Sequence, residues 1–385
     1  MGIVLFDNKN RRLLNPLVKT RAVASLRMGI ATTKERWEQL TGTQVFVHTE
    51  NYLMPLYEPI EPGRHIWIDS SVLVTQELFS AVLELKKGEA LADKDGLIAG
   101  NCDEPWESFD VKNTVAWFKN NIKLVNAIRL QLPHQIFLWN DWFIKNDYNF
   151  FTINRVSQPI SSSNTLINPT NIFVEEGVTM EYCTLNATAG PIYIGKKATL
   201  MEGCMIRGAF AMGENSLLKM GAKIYGATTF GPNCVGGGEI KNIVMQGNSN
   251  KAHDGYLGDS VIGEWCNFGA GSSNSNMKNT GGKVRLWNEG LNDFVDAGQK
   301  CGLIMGDYSR VSINSSINTG SAIGICCNVF GEGLLPKVIK DFSWGLKERY
   351  IIEKALADIT NWKKMKHQTS GNEEVAVLKH LFEMK

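Results

Sequence analysis

Apolar side chains recur six residues apart along the middle of the chain: Ile194, Leu200, Ile206, Met212, Leu218, Ile224 and Phe230. The same step returns at Ile262 and Phe268, and again at Met305, Val311, Ile317, Ile323 and Val329. Gly195, Gly213, Gly231, Gly263, Gly269, Gly306 and Gly324 each follow one of these residues. A period of six fits neither the 3.6 of an amphipathic helix nor the plain alternation of a half-buried strand. It predicts a parallel β-helix of hexapeptide repeats, in which each hexad forms one short side of a three-sided prism. Strand twist is what normally enforces right-handed crossovers. Short flat strands escape that constraint, and the hexad period goes with the left-handed form.

The pattern around this block differs. Met1 to Leu5, Val45 to His48 and His65 to Ile68 read as strands. Thr33 to Leu40, Thr75 to Lys87 and Thr114 to Leu130 read as helices, with Thr32 or Thr33 as the cap of the first. Alternating strands and helices predict a small α/β domain with a parallel sheet over residues 1–156. The Ser-, Asn- and Pro-rich stretch within 157–171 reads as a linker, 172–335 as the prism, and 336–385 as a helical extension. Between Gly236 and Tyr256 the hexads falter. Between Met277 and Leu303 the chain leaves the coil, with Val284, Leu286, Trp287 and Phe294 available to pin the excursion. Loops projecting from a rigid repeat are common places for binding residues.

With 40 Lys plus Arg against 39 Asp plus Glu, the chain carries no bulk field, which gives no support to nucleic-acid or polybasic membrane binding. No long apolar run or signal peptide is visible, so a soluble, cytoplasmic protein is expected. Cys204, Cys234, Cys266 and Cys327 each sit four residues after a leading apolar residue, where Ala198, Ser216, Thr228 and Ser272 stand elsewhere. That slot takes a small inward side chain, so the thiols are expected to be reduced packing groups.

Of six histidines, only His253 falls within the prism, in the polar break from Lys251 to Asp259. One histidine is too few for a three-His zinc site. Glu239-Ile-Lys241, His253, Tyr256-Leu-Gly-Asp259, Asn267-Phe-Gly-Ala-Gly271 and Asn276 follow in an order and spacing that resembles the acetyltransferase half of a known family. That family is the bifunctional UDP-N-acetylglucosamine pyrophosphorylase/glucosamine-1-phosphate N-acetyltransferases. The resemblance implies acetyl-CoA as acyl donor and His253 as the general base toward a sugar amine, a task suited to imidazole near neutral pH. It implies Lys223 and Lys241 at the sugar phosphate, and Tyr256, Asn267 and Asn276 around the sugar. The backbone of Ala270, Gly271 and Ser272 would lie along acetyl-CoA, its amides receiving the oxyanion, with Lys337 or Lys340 at the coenzyme phosphates. It also implies a homotrimer. The plain alternatives are a corner aromatic for Tyr256, a solvated charge for Lys241 and corner-stacking roles for the asparagines. Asp254 stands where the family has an apolar residue, and the excursion after Asn276 is longer than the family's loop.

The segment from Leu14-Asn-Pro-Leu to Ser-Leu-Arg27 resembles the opening of sugar nucleotidyltransferases in the shortened branch fused to such prisms, as does Phe342-Ser-Trp-Gly345. Arg11, Arg12, Lys19, Arg21 and Arg27 are therefore candidate nucleotide ligands, and Asp69 a candidate Mg2+ carboxylate. The phosphate-cradling glycine turn expected after the first strand is missing. A domain that has lost catalysis and now caps the prism is the equal alternative. The expected activity is acetyl transfer to an amino-sugar phosphate, with or without nucleotidyl transfer from a nucleoside triphosphate. Sugar O-acetylation, nucleotidyl transfer alone and a non-catalytic trimeric scaffold are the rivals.

Overall fold

The computed structural model describes residues 2–103, 109–111, 113–118 and 121–384. The hexad block forms a left-handed parallel β-helix with three flat sides. Face A stacks Ile172–Val174, Ile192–Ile194, Phe210–Met212 and Thr228–Phe230, then part of each of two long strands, Glu239–Gly247 and Tyr256–Glu264. It continues through Leu303–Met305, Ser321–Ile323 and Val338–Ile339. Face B runs from Thr179–Met180 to Ser343–Trp344, and face C from Thr165–Ile167 through Lys223–Tyr225 to the first residues of the two long strands. Eighteen-residue coils put Ile194, Met212 and Phe230 in one register column. All the six-step residues named above are at most 3% exposed and belong to one core. Each such side chain, fully removed from water, contributes roughly 1.5–3 kcal/mol.

The small slot behaves as its size demands. Down the corner between faces A and B, Ser216, Ser249 and Ser309 each accept the amide of Cys234, Cys266 and Cys327 respectively. Their hydroxyls donate onward to carbonyls of the next coil. The cysteines are free and buried, and burial pushes the Cys234 and Cys327 thiols up to about 12. They are packing groups.

Where the hexads falter, the coil does not break. Glu239–Gly247 and Tyr256–Glu264 each turn from face C to face A at a single residue with positive φ, Asn242 (52°) and Asp259 (46°). Elsewhere that corner takes several residues, so the shortened coils shift the period and hide it. The coil also begins earlier than the linker reading: Thr165–Ile167 pairs with Thr184–Asn186.

The N-terminal sheet is mixed rather than parallel. Its order is Val45–His48, Gly2–Phe6, His65–Asp69, Gly96–Cys102, Ala90–Asp93, Ile122–Leu124. Gly96–Cys102 runs antiparallel to both neighbours. The helix expected over Thr114 to Leu130 is instead a 3-10 turn, Thr114–Phe118, and the strand Ile122–Leu124, with residues 119–120 outside the described set. Helix α1 (Thr33–Thr41) is capped by Thr32 and Glu35 reciprocally, and α2 (Gln76–Leu83) by Thr75. The longest helix, α3 (Gln135–Thr152), lies against face A. Its buried Asn140 accepts from the Gly29 amide and donates to the Ala227 carbonyl, while Asp147 holds Arg36 at 2.7 and 2.8 Å. Val244, Val261 and Ile304 on the outside of face A pack in one core with Leu17, Leu26 and Phe137. Helices α4 (Ile352–Met365) and α5 (Asn372–Glu383) cover the corner residues Trp265, Tyr308, Cys326 and Phe342.

The excursion is a second clamp. Arg285–Asn288 and Asp293–Asp296 pair as an antiparallel hairpin, with Val284 and Leu286 fully buried. Asn288 donates to the Leu13 carbonyl at 2.8 Å, and Glu289 meets Lys19 at 2.6 Å. It ties the prism to the N-terminal domain.

Candidate functional site

Face C keeps Met205, Arg207 and Lys223 exposed and Tyr225, Glu239, Lys241 and Tyr256 half-buried, and the two long strands lay polar side chains across it. In register, Lys223, Glu239 and Tyr256 form one outward column, and Tyr225, Lys241 and Gly258 the next. The Tyr225 phenol donates to Glu239 and is pushed up to about 12, mainly by that bond. Lys241 Nζ lies 5.9 Å from the Tyr225 ring centroid. The second column needs a glycine, because a Cβ on Gly258 would stand 2.2 Å from the Tyr256 hydroxyl. With that space open, the phenol reaches Asn276, whose amide nitrogen lies 2.9 Å away and also bonds Asp259. Asp259 takes Asn242 on its other oxygen at 2.7 Å. Burial first, and the nearby Asp259 next, raise the Tyr256 pKa above its ordinary range.

His253 projects at the corner between faces B and C, exposed, three residues before Tyr256. The next coil brings Ala270 and Gly271 to the same corner, both exposed. The Gly271 amide donates to the Asp254 carbonyl and the Ser272 amide to Gly269, and the Ser272 side chain points inward to the Ser312 carbonyl. These two amides are thus committed to the coil and do not serve an oxyanion. The Ala270 amide has no acceptor among the described residues.

Asn267 falls elsewhere. It lies on face B between Asn250 and Arg310 in register, in the row that α4 meets through Trp362 over Arg310, with Lys366 just past the helix end on Asn250. It does not join Tyr256 and Asn276. Lys337 and Lys340 flank the last face A strand, and Lys340 lines an 840 Å³ cavity at the end of the coil with Trp287 and Arg349. Sequence reasoning gave no role to Tyr225, Glu239, Asn242 or Asp259. The every-second-residue alternation of the face C strands would have turned the first two outward.

The N-terminal candidates are occupied. Arg11 bonds Asp7 at 2.9 Å and the carbonyls of Val18 and Arg21. Lys19 pairs with Glu289 and Asp341, Arg21 with Glu264 and Asp307, and Arg27 with Glu35. Four of the five cations expected at nucleotide phosphates therefore serve as internal braces, and two of them fasten the segment to the prism. Arg12 alone is exposed.

Asp69 does not fit a metal. Its oxygens accept from Asn8, from the Ser71 amide and hydroxyl, and from Arg129 Nε at 3.0 Å. Arg129 also grips Asp93. A guanidinium stands where Mg2+ would need open carboxylate lone pairs. The hollow above it, bounded by Asn8, Lys9, Asn10 and Asn113, is only about 240 Å³. Among the described residues no group of three or more His, Cys, Asp or Glu is placed to hold a metal, and no helix is long and apolar enough to cross a membrane.

Residues 3–156 match the sugar nucleotidyl transferase family. The bifunctional protein GlmU of Methanococcus vannielii is 27% identical over 249 residues, covering 60% of this chain and 52% of that protein. GlmU of Methanocaldococcus jannaschii is 29% identical over 118 residues, 31% of this chain and 28% of that one. A bifunctional sugar-1-phosphate nucleotidylyltransferase/acetyltransferase of Sulfurisphaera tokodaii is 33% identical over 93 residues, 24% and 23%. The chain thus spans about half the length, or less, of these curated relatives. Among solved structures, an Arabidopsis UDP-N-acetylglucosamine acyltransferase aligns with 52% of this chain and 76% of its own at 14% identity and a TM-score of 0.30. The resemblance drawn from the sequence is borne out in a shortened, GlmU-like form.

Proposed function

From a sugar nucleotidyl transferase domain docked along a left-handed β-helix, we propose that the prism transfers acetyl from acetyl-CoA to the amine of an amino-sugar phosphate. The N-terminal domain acts in this reading as a cap. The observation that carries it is the exposed His253 at the edge of face C, the face whose polar columns hold Lys223, Tyr225, Glu239, Lys241, Tyr256 and Asn276. His253 takes the proton from the sugar nitrogen as that nitrogen attacks the thioester carbon. The C–S bond breaks as the C–N bond is completed, and the proton passes to the departing thiolate. The Ala270 amide is the backbone donor left open for the developing oxyanion. Lys223 and Lys241 supply positive charge for a phosphate. Tyr256 and Asn276 offer a hydroxyl and an amide to the sugar ring.

Face A is taken by α3 and the N-terminal core, and the lower part of face B by α4. Face C itself carries Met205, exposed by 50%, and adjoins Met220 and Ile313, exposed by 70% and 66%. A trimer that buries this edge would close the cleft around His253.

The test is thiol release from acetyl-CoA with glucosamine-1-phosphate, with glucose-1-phosphate as the hydroxyl control. His253→Ala should slow it by about 10²–10⁴-fold, the usual share of one acid–base group. An unchanged rate removes His253 from the mechanism. Pyrophosphate release from nucleoside triphosphates and sugar phosphates should be absent, and its presence would restore nucleotidyl transfer to the N-terminal domain.

A further inference from the structure

The inside of a β-helix is the least suitable place in the chain for a charge, and a lysine stands there. The inward positions of face B run Leu200, Leu218, Gly236, Lys251, Phe268, Val311 and Val329. Lys251 is 1% exposed, as deep as the leucines above it. Its stem follows the core, but Nζ leaves the axis toward the B/C corner. There it donates to the carbonyl of His253 and, at 3.4 Å, to that of Gly237 in the preceding coil. Among the described residues nothing else donates to the His253 carbonyl, and no carboxylate lies within ion-pair distance of the ammonium. Gly238 makes room for the arrangement: its φ is +72°, and a Cβ there would stand 2.9 Å from the His253 carbonyl oxygen.

A buried ammonium without a carboxylate partner is unfavourable beside an apolar side chain of the same length. Burial holds its pKa down to about 8 against the opposing pull of Asp254. The coil by itself gives no reason for the charge, since leucine, glycine, phenylalanine or valine fills the same position elsewhere. The corner does. The turn Ala252–Gly255 carries His253 outward, and the Lys251 ammonium is the one group that fastens its carbonyl and joins it to the corner above.

We propose that Lys251 is a positioning residue for the His253 base, holding from inside the coil the turn that presents the imidazole to face C. This rests on the acetyl-transfer reading. Lys251→Met fills the interior without the donor. It should fold, unfold at the same or a higher temperature, and lower kcat for acetyl transfer by about 10–100-fold while KM for acetyl-CoA stays within about twofold, as expected when a reacting group loses its aim. Amide hydrogen exchange should quicken at Ala252–Gly255 and stay unchanged at the hexads. Lys251→Gln, which keeps N–H donors without the charge, should recover part of kcat, and Lys251→Leu, the residue of Leu200 and Leu218 at this position, replaces the methionine variant should that one not fold. Wild-type kcat with unchanged exchange at the corner overturns the proposal, as does loss of protection spread along the whole coil. If the wild-type protein releases no thiol with any acceptor, the acetyl-transfer reading fails, while the exchange pattern still decides whether Lys251 tethers the corner.

Discussion

Replacing Arg21 by methionine tests whether the N-terminal segment is a brace. The Arg21 side chain is 10% exposed and pairs with Asp307, which is 2% exposed, and with Glu264 at 2.8 Å. Removing the guanidinium leaves Asp307 buried with only the Thr20 hydroxyl and the Glu264 amide as donors, and with the Glu264 carboxylate nearby. Breaking one side of a buried pair costs about 3–5 kcal/mol, a large share of the roughly 5–15 kcal/mol that holds a typical protein folded. Denaturant unfolding of Arg21→Met, followed by tryptophan fluorescence, should show a loss of that size. It should persist in high salt, because a buried pair is screened little. Arg21→Met combined with Asp307→Leu should recover most of the loss, since no carboxylate is then stranded. A single variant within about 0.5 kcal/mol of wild type, the scatter of ordinary surface changes, would refute the brace. A double variant no better than the single would refute the stranded-charge account.

His134 is 5% exposed, and burial holds its pKa down to about 4 from the ordinary 6.5. The unfolded chain binds this proton first on acidification, so His134 lowers stability as pH falls from about 6.5 toward 4, by up to about 3 kcal/mol. Unfolding free energies at pH 7 and pH 4.5 should therefore differ less in His134→Leu than in wild type, and an equal difference would show that the ring is protonated in the folded protein. Tyr256→Phe removes one neutral hydrogen bond, worth about 0.5–1.5 kcal/mol, so KM for the sugar acceptor should rise about 2–12-fold with kcat little changed. Steady-state kinetics with an unaltered KM would take Tyr256 out of the sugar site.

The parts of this molecule visible in its sequence are those set by local repetition. Ile194, Met212 and Phe230 announce the coil because each faces the axis in every turn, and the cysteines announce the corner because only a small side chain fits. Helix α3 was not visible. It opens without a side-chain cap at His134, is rich in Phe, Trp and Asn, and buries Asn140 and Asp147 on the face that should be apolar. Those polar groups make sense only against Gly29, Ala227 and Arg36, partners about 87–111 positions away. The same distance effect hid the bracing cations. A Lys or Arg in a family motif reads as a phosphate ligand until Glu264, Glu289, Asp307 and Asp341 are seen beside it. Lys251 was masked differently: it occupies a hexad position, where charge departs from the repeat and leaves no pattern of its own.

A column with one side welded to a domain and a second partly roofed by helices offers little choice to an incoming copy of itself. In the proposed trimer, the side that carries both the polar cleft and the greasy ridge next to it would meet the flank of the next copy. Contacts of that kind turn through a fixed angle at each step, and they close into a small ring when the angle divides the circle. Two spare sides would allow branching sheets of protein. In the proposed trimer a single such side would leave a countable assembly.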